Sequence, residues 1–178
     1  MAGIIHALQR QAKYVKMAAM FAMLNSAAPP LLTTLDTLVR TPVFHILRLY
    51  RQLSGRARVF SEAECPTVEV PKLLTLPQRS SVPLLDVSAT LDEHQLTVFV
   101  INRNYQENLE AEIEISDFNF SEPVRIHTVA ANGYQAANNE DQPEMVTERI
   151  CETEWNGYHV FPPCSVTAIV MEESSKNC

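Results

Sequence analysis

Apolar residues recur along this chain with two different periods, and the change of period divides it. In residues 1–55 the spacing is three and four: Ile4, Leu8, Ala12, Val15, Ala19 and Ala22 form one stripe of a helix, with Gln9, Gln11, Lys13 and Lys16 between them. That helix must stop before Pro29-Pro30, because proline lacks an N–H and restricts the residue ahead of it. Pro30-Leu-Leu-Thr-Thr34 reads as a short buried strand. Thr41-Pro42 then opens a second helix, threonine as N-cap and proline in the first turn, with Val43, Ile46, Leu47, Tyr50 and Leu53 as its buried face. Helix, strand, helix is a fragment of an α/β pattern, and a lone strand needs a partner. The first helix begins almost at Met1 without a cap signal, which predicts that the missing strands come from another chain or from a larger domain.

Residues 56–84 hold four prolines and little periodicity, so they predict a crossing segment with one or two short strands, Val68-Glu-Val70 first among them. From Val82 onward the period is two. Leu85, Val87 and Ala89 alternate with Asp86, Ser88 and Thr90, and Leu96–Ile101 is apolar on both faces. Leu109, Ala111, Ile113 and Ile115 alternate with Glu110, Glu112 and Glu114, which must face water because adjacent buried carboxylates are too costly. Val124–Val129, Ser165–Met171 and, more weakly, Gly157–Phe161 complete the series, with turns at Asp92-Glu93, Asn102–Asn104, Asn132-Gly133 and Pro162-Pro163. The fold class predicted is mainly β: an antiparallel β-sandwich or jelly roll preceded by a helix-strand-helix unit.

Composition narrows the function. With 46% hydrophobic and 20% charged residues, the 178-residue chain is that of a folded globular protein. Its net charge of −7 repels nucleic-acid phosphates. The basic residues of the first third (Lys13, Lys16, Arg40, Arg48, Arg51, Arg56, Arg58) fall between apolar ones and read as the wet faces of helices. Lys13 and Lys16, followed by Met17–Leu24 and Asn25-Ser-Ala-Ala28, imitate a secretory signal, but the apolar stretch is eight residues and the helical pattern begins upstream of the lysines. No run approaches the roughly 20 apolar residues of a membrane span. Cys65, Cys151, Cys164 and Cys178 show neither CxxC nor histidine at ligand spacing; Cys178 sits on a polar tail and Cys164 in a strand-like run. Reduced thiols and a cytoplasmic location are the expectation, with no metal and no cofactor.

Catalytic patterns are sparse. No GxSxG is present, and His6, His45, His94, His127 and His159 have no paired nucleophile. His6 reads as a helix-surface residue, His94 as a turn residue, and His127 and His159 as packing residues of strands. Glycoside hydrolysis needs two carboxyl groups held about 5–10 Å apart. Residues 1–55 contain a single acid, Asp36, and Glu154-Trp155-Asn156, which resembles the stretch around some glycosidase nucleophiles, lies in a loop of the β-rich half. The aromatic residues form no recognisable sugar platform in sequence.

The order of short motifs nevertheless resembles a known family. Val15-Lys-Met-Ala18, Leu24-Asn25, Ala28-Pro29 and Thr41-Pro-Val-Phe-His45 with Tyr50 are similar to the end of the catalytic barrel of glycoside hydrolase family 51 α-L-arabinofuranosidases. Val82–Ala89, Leu96–Arg103, Ala136–Pro143 and Phe161-Pro-Pro-Cys-Ser-Val166 are similar to its C-terminal β-sandwich; the strand ending in Asn102-Arg103 and the Pro-Pro-x-Ser-Val closure are the more specific. The resemblance implies that residues 1–55 are the terminal helices and last strand of a TIM-barrel catalytic domain, incomplete here, and that 56–178 are the sandwich. It implies a retaining hydrolase acting on arabinose-containing oligosaccharides and polysaccharides, whose nucleophile and acid/base glutamates both lie upstream on earlier barrel strands. No residue here inherits either role. Ala22 occupies the position where related enzymes place a sugar-contacting glutamine, three before Asn25. The expectation is therefore the C-terminal portion of such an enzyme, inactive alone, completed by a longer parent, an oligomer or a partner chain that supplies the barrel. The alternative is a non-catalytic carbohydrate-binding or structural sandwich.

Overall fold

The structure, a computed structural model, describes residues 1–20 and 22–174. Phe21 and Cys178 lie outside the described residues. In chain order the elements are α1 (Ala2–Arg10), β1 (Leu31–Thr33), β2 (Leu38–Arg40), α2 (Pro42–Leu53), β3 (Ala57–Val59), β4 (Thr67–Val70), β5 (Arg79–Pro83), β6 (Leu85–Asp92), β7 (Gln95–Asn102), β8 (Leu109–Glu112), β9 (Phe120–Val129), β10 (Glu148–Thr153), β11 (Tyr158–Phe161) and β12 (Ser165–Glu173).

The centre of the molecule is a six-stranded sheet in the order β10-β9-β12-β7-β6-β3, and every pairing in it is antiparallel. Because side chains alternate across a strand, each strand feeds two different cores. Leu85 and Ala89 of β6, Leu96, Val98 and Val100 of β7, Val124 and Ile126 of β9, and Ile169 and Met171 of β12 point to one side. There they meet Phe161 of β11 and Leu109 and Ala111 of β8, which form a two-stranded second layer. The result is an antiparallel β-sandwich, as the period-two pattern predicts. On the opposite side Phe99, Val166 and Ala168 meet Ala2 of α1 and Leu49 and Tyr50 of α2, with the Tyr50 and Phe99 rings stacked at 4.4 Å. The helices therefore cover the outer face of the sheet. The register explains this, since Ala168 is opposite Phe99 and Val166 opposite Ile101.

Several expectations need correction. The first helix ends at Arg10 and trails into turns through Tyr14, so the stripe from Ile4 to Ala22 is not one helix face. Its buried side carries Ala2 and His6, while Ile4 is exposed. Apolar spacing over a short run does not separate helix from extended chain, and a helix this long depends on packing that ends with β6. Leu31–Thr33 is not a lone strand: it pairs with β2, a strand too short for its pattern to be read. In α2 the cap position is as predicted, but the Thr41 hydroxyl donates to the Pro29 carbonyl (2.7 Å) rather than capping, and the face centres on His45, Ile46, Leu49 and Tyr50. The basic residues named above are exposed, but only Arg48 and Arg51 stand on a helix: Arg40 and Arg58 are on strands, and Lys13, Lys16 and Arg56 lie in turns or irregular chain. Cys164 is in the turn before β12 with φ +50°, not within the strand. The edge strand β10 went unpredicted because its two apolar residues, Ile150 and Cys151, are adjacent and show no period of two.

Candidate functional site

The position where the resemblance places a sugar contact lies in the connection from α1 to β1. Ala22 is half-buried, has φ +57°, and its carbonyl accepts the Ser26 hydroxyl at 2.9 Å. Its methyl group offers no hydrogen bond to a ligand. Asn25, also in the left-handed region at φ +48°, is tied to Thr33: its amide donates to Thr33 Oγ1 (2.9 Å) and its Oδ1 accepts the Thr33 N–H (2.8 Å). Around this segment Tyr14, Met17, Met23, Leu24, Leu35 and Leu38 are exposed, Met17 at 85%. Asp36, the single acid of this part, is exposed in the β1–β2 turn. Among its described residues the segment thus has apolar surface but no catalytic arrangement.

Polar groups converge instead beneath α1. Asp86 points from β6 toward the helices, is 4% exposed, and is held by the guanidiniums of Arg10 and Arg103. His6, fully buried and not on the surface as expected, stands with Nδ1 3.5 Å from Asp86 and Nε2 2.6 Å from the Tyr50 hydroxyl. Burial and the Asp86 charge push the Tyr50 phenol well above its ordinary range, so it stays protonated. The assignment that serves all three groups has Tyr50 donating to Nε2 and the imidazole proton on Nδ1, facing the carboxylate. Burial opposes ionisation of Asp86, but His6, Arg10 and Arg103 outweigh it and hold the carboxyl at about 2. A carboxylate so committed clamps α1 to the sheet; it is not free to act as nucleophile or acid.

A second cluster joins α2 to β9 and β10. His127 Nδ1 is 2.8 Å from Glu148 Oε1, and Glu148 Oε2 lies 4.0 Å from Arg48 Nε. His45 is buried beside them; burial and the Arg48 charge lower its pKa against the pull of Glu148. Glu148 too is therefore engaged by its neighbours. Among the described residues there is no group of three or more side chains that could hold a metal ion, and no helix is long and apolar enough to cross a membrane. Cys65, Cys151 and Cys164 are free thiols.

The motif residues turn out to build joints. Asn102 donates to the carbonyls of Phe161 (3.0 Å) and Pro162 (2.9 Å), so the two more specific motifs meet each other. Arg103 reaches from the next position to the Pro83 carbonyl and Asp86. Asn138, buried within the Ala136–Pro143 stretch, donates to the carbonyls of Arg40 (2.7 Å) and Val146 (2.8 Å) and pins that loop to β2.

The family model described as the alpha-L-arabinofuranosidase C-terminal domain matches residues 1–165. The chain belongs to this family. Solved structures of α-L-arabinofuranosidases share its fold: the enzyme from Thermotoga maritima, in an arabinose complex, superposes with a TM-score of 0.87 at 22% identity. The family 51 enzyme from Thermotoga petrophila RKU-1 gives 0.84 at 23%, and that from Bifidobacterium longum 0.78 at 15%. Each superposition covers 96% of this chain but 37%, 37% and 33% of the other, so the chain spans about a third of the length of these enzymes. No curated protein matches it. The β-sandwich is thus that of the C-terminal domain family.

The sequence reading missed the Asp86 clamp and the buried position of His6. The signal for Asp86 was present, an acid on the polar side of an otherwise buried strand, but nothing local tells that a helix covers that side. A third arrangement, around Trp155, also escaped it: the turn between β10 and β11 brings Trp155, Tyr158 and His159 to one groove with Glu110 and Glu154.

Proposed function

We propose that the chain works as the C-terminal portion of a retaining α-L-arabinofuranosidase that removes terminal α-L-arabinofuranosyl residues from arabinan and arabinoxylan oligosaccharides, and that it is inactive alone. The family match across residues 1–165 carries this reading. A retaining reaction needs two carboxyl groups about 5–5.5 Å apart, one as nucleophile and one as acid then base. The well-buried carboxylates here, Asp86 and Glu148, are bound by arginine or histidine within the helix–sheet layer. The catalytic pair must then come from residues outside these 178, on a barrel that residues 1–55 help to close. The exposed apolar side chains from Tyr14 to Leu38 are the surface such a barrel would cover. Alone, the chain should associate or bind dyes for exposed apolar surface. Its substrate contact at Ala22 is lost even in the complete enzyme. The free thiols support a reducing, cytoplasmic setting.

The test is hydrolysis of an aryl α-L-arabinofuranoside by the purified chain. The expected rate equals the buffer blank. Turnover that survives rigorous purification and tracks with the 178-residue chain overturns the proposal.

A further inference from the structure

Among the described residues, two hollows on the sandwich differ in their chemistry. The larger, about 800 Å³, lies beside the β6–β7 turn, and its charges already pair with one another: Arg56 with Asp92 and Glu93, His94 with Glu173. Little is left there for a ligand. The smaller, about 370 Å³, opens between β9, the end of β10 and the β8–β11 pair. It is lined by Glu110, Glu154, Trp155, Asn156, Tyr158 and His159, and its size falls within the ~300–1,000 Å³ of small-ligand sites.

We propose that this groove is a binding site for a neutral saccharide, held by stacking on Trp155 and by hydrogen bonds to Glu154, Asn156 and His159. Three observations carry it. First, Trp155 is half-buried against the sandwich core, so its indole is fixed and offers an apolar wall for the C–H face of a sugar ring. Second, His159 Nε2 is buried without a hydrogen-bond partner among the described residues. A buried polar atom left unpaired is unfavourable, and because Nε2 is closed to solvent as the ring stands, a small turn of the His159 ring toward the groove is what brings it to a ligand hydroxyl. Third, the lining holds no lysine or arginine, which disfavours phosphates and carboxylates. The two carboxylates beside an indole would also suit an organic cation. Asn156, exposed at the rim, favours the sugar: its Oδ1 accepts the Tyr158 N–H (3.0 Å), so the NH₂ it presents is a donor that pairs with a hydroxyl and gains nothing from a cation.

The site is also built in advance of any ligand. Gly157, at φ +86°, allows the tight turn, and its carbonyl accepts the Ile113 N–H at 2.7 Å. The backbone N–H of Trp155 donates to Glu122 (3.3 Å), and the Tyr158 hydroxyl donates to Glu112, which raises the phenol's pKa. Such anchoring lowers the ordering cost of binding. Burial lowers the His159 pKa, so the ring is neutral at physiological pH and can serve a hydroxyl from either side of its tautomer.

Trp155 is the sole tryptophan of the chain, so intrinsic fluorescence reports directly on the groove. The 178-residue chain is titrated with neutral arabino- and xylo-oligosaccharides, and separately with tetramethylammonium. The expected result is a saturable emission change with a dissociation constant on the order of millimolar for the sugars, confirmed by calorimetry. Glu154→Gln, at an exposed position, and Asn156→Ala should each weaken it about five- to tenfold with unchanged far-UV circular dichroism. A flat response from folded protein by both methods overturns the proposal. So does saturation by tetramethylammonium without sugar, or sugar binding that both variants leave untouched. The catalytic proposal is unaffected by any of these outcomes, because it is read from hydrolysis and not from binding.

Discussion

Replacing Asp86 by asparagine tests the joint between helices and sheet. The substitution keeps shape and volume but removes the charge on which Arg10, Arg103 and His6 converge. The carboxyl ionises at about 2 against an ordinary 3.8, a depression worth about 2 kcal/mol at 1.36 kcal/mol per unit. Removing one member of a fully buried ion pair costs roughly 3–5 kcal/mol. Arg10 and Arg103 are 41% and 34% exposed and can regain water, so the cost here belongs near the lower value. We expect D86N to lose about 2–3 kcal/mol at neutral pH, measured by urea denaturation, with faster amide exchange across Ala2–Arg10. A depressed carboxyl stabilises above its unfolded pKa and loses that contribution as pH falls through its folded one. The gap between wild type and D86N should therefore be full above about pH 4 and close toward pH 2. A gap below about 0.5 kcal/mol at neutral pH, or one that does not change on acidification, refutes the clamp.

Leu49, fully buried between α2 and the sheet, should cost about 2–5 kcal/mol when cut to alanine, and its helix should lose exchange protection before the sandwich does. Gly55 has no room for a side chain: a Cβ there would stand 2.3 Å from the Leu91 carbonyl carbon. Gly55→Ala should accordingly lower the thermal midpoint by the equivalent of about 1–3 kcal/mol, and an unchanged midpoint would contradict the close approach of the α2–β3 connection to β6.

How far the fold could be read from sequence depended on whether a pattern reported the local backbone alone. The strand β6 was legible because its apolar and polar residues alternate, β7, β9 and β12 because their short apolar or β-branched runs fit strands covered on both faces, and α2 because Thr41-Pro42 fixes its start. The glutamates of Leu109–Ile115 are exposed as argued, although β8 itself stops at Glu112. What failed was decided by tertiary contact. His6 reads as surface until Asp86 and Tyr50 are brought to it from positions 80 and 44 residues away. The polar side of β6 reads as wet until α1 lies on it. The groove at Trp155 gathers residues from four strands and a turn, and a single aromatic beside Asn156-Gly157 gives no periodic signal.

The account rests on the chain acting as the C-terminal part of a larger arabinofuranosidase. The most direct measurement is the native mass, in expressing cells, of the protein recognised by an antibody against residues 56–178. The account predicts a species several times heavier than 20.0 kDa, either one chain or a stable complex, that cleaves α-L-arabinofuranosides when captured. A species of about that mass, bound to nothing and without hydrolytic activity, would contradict it.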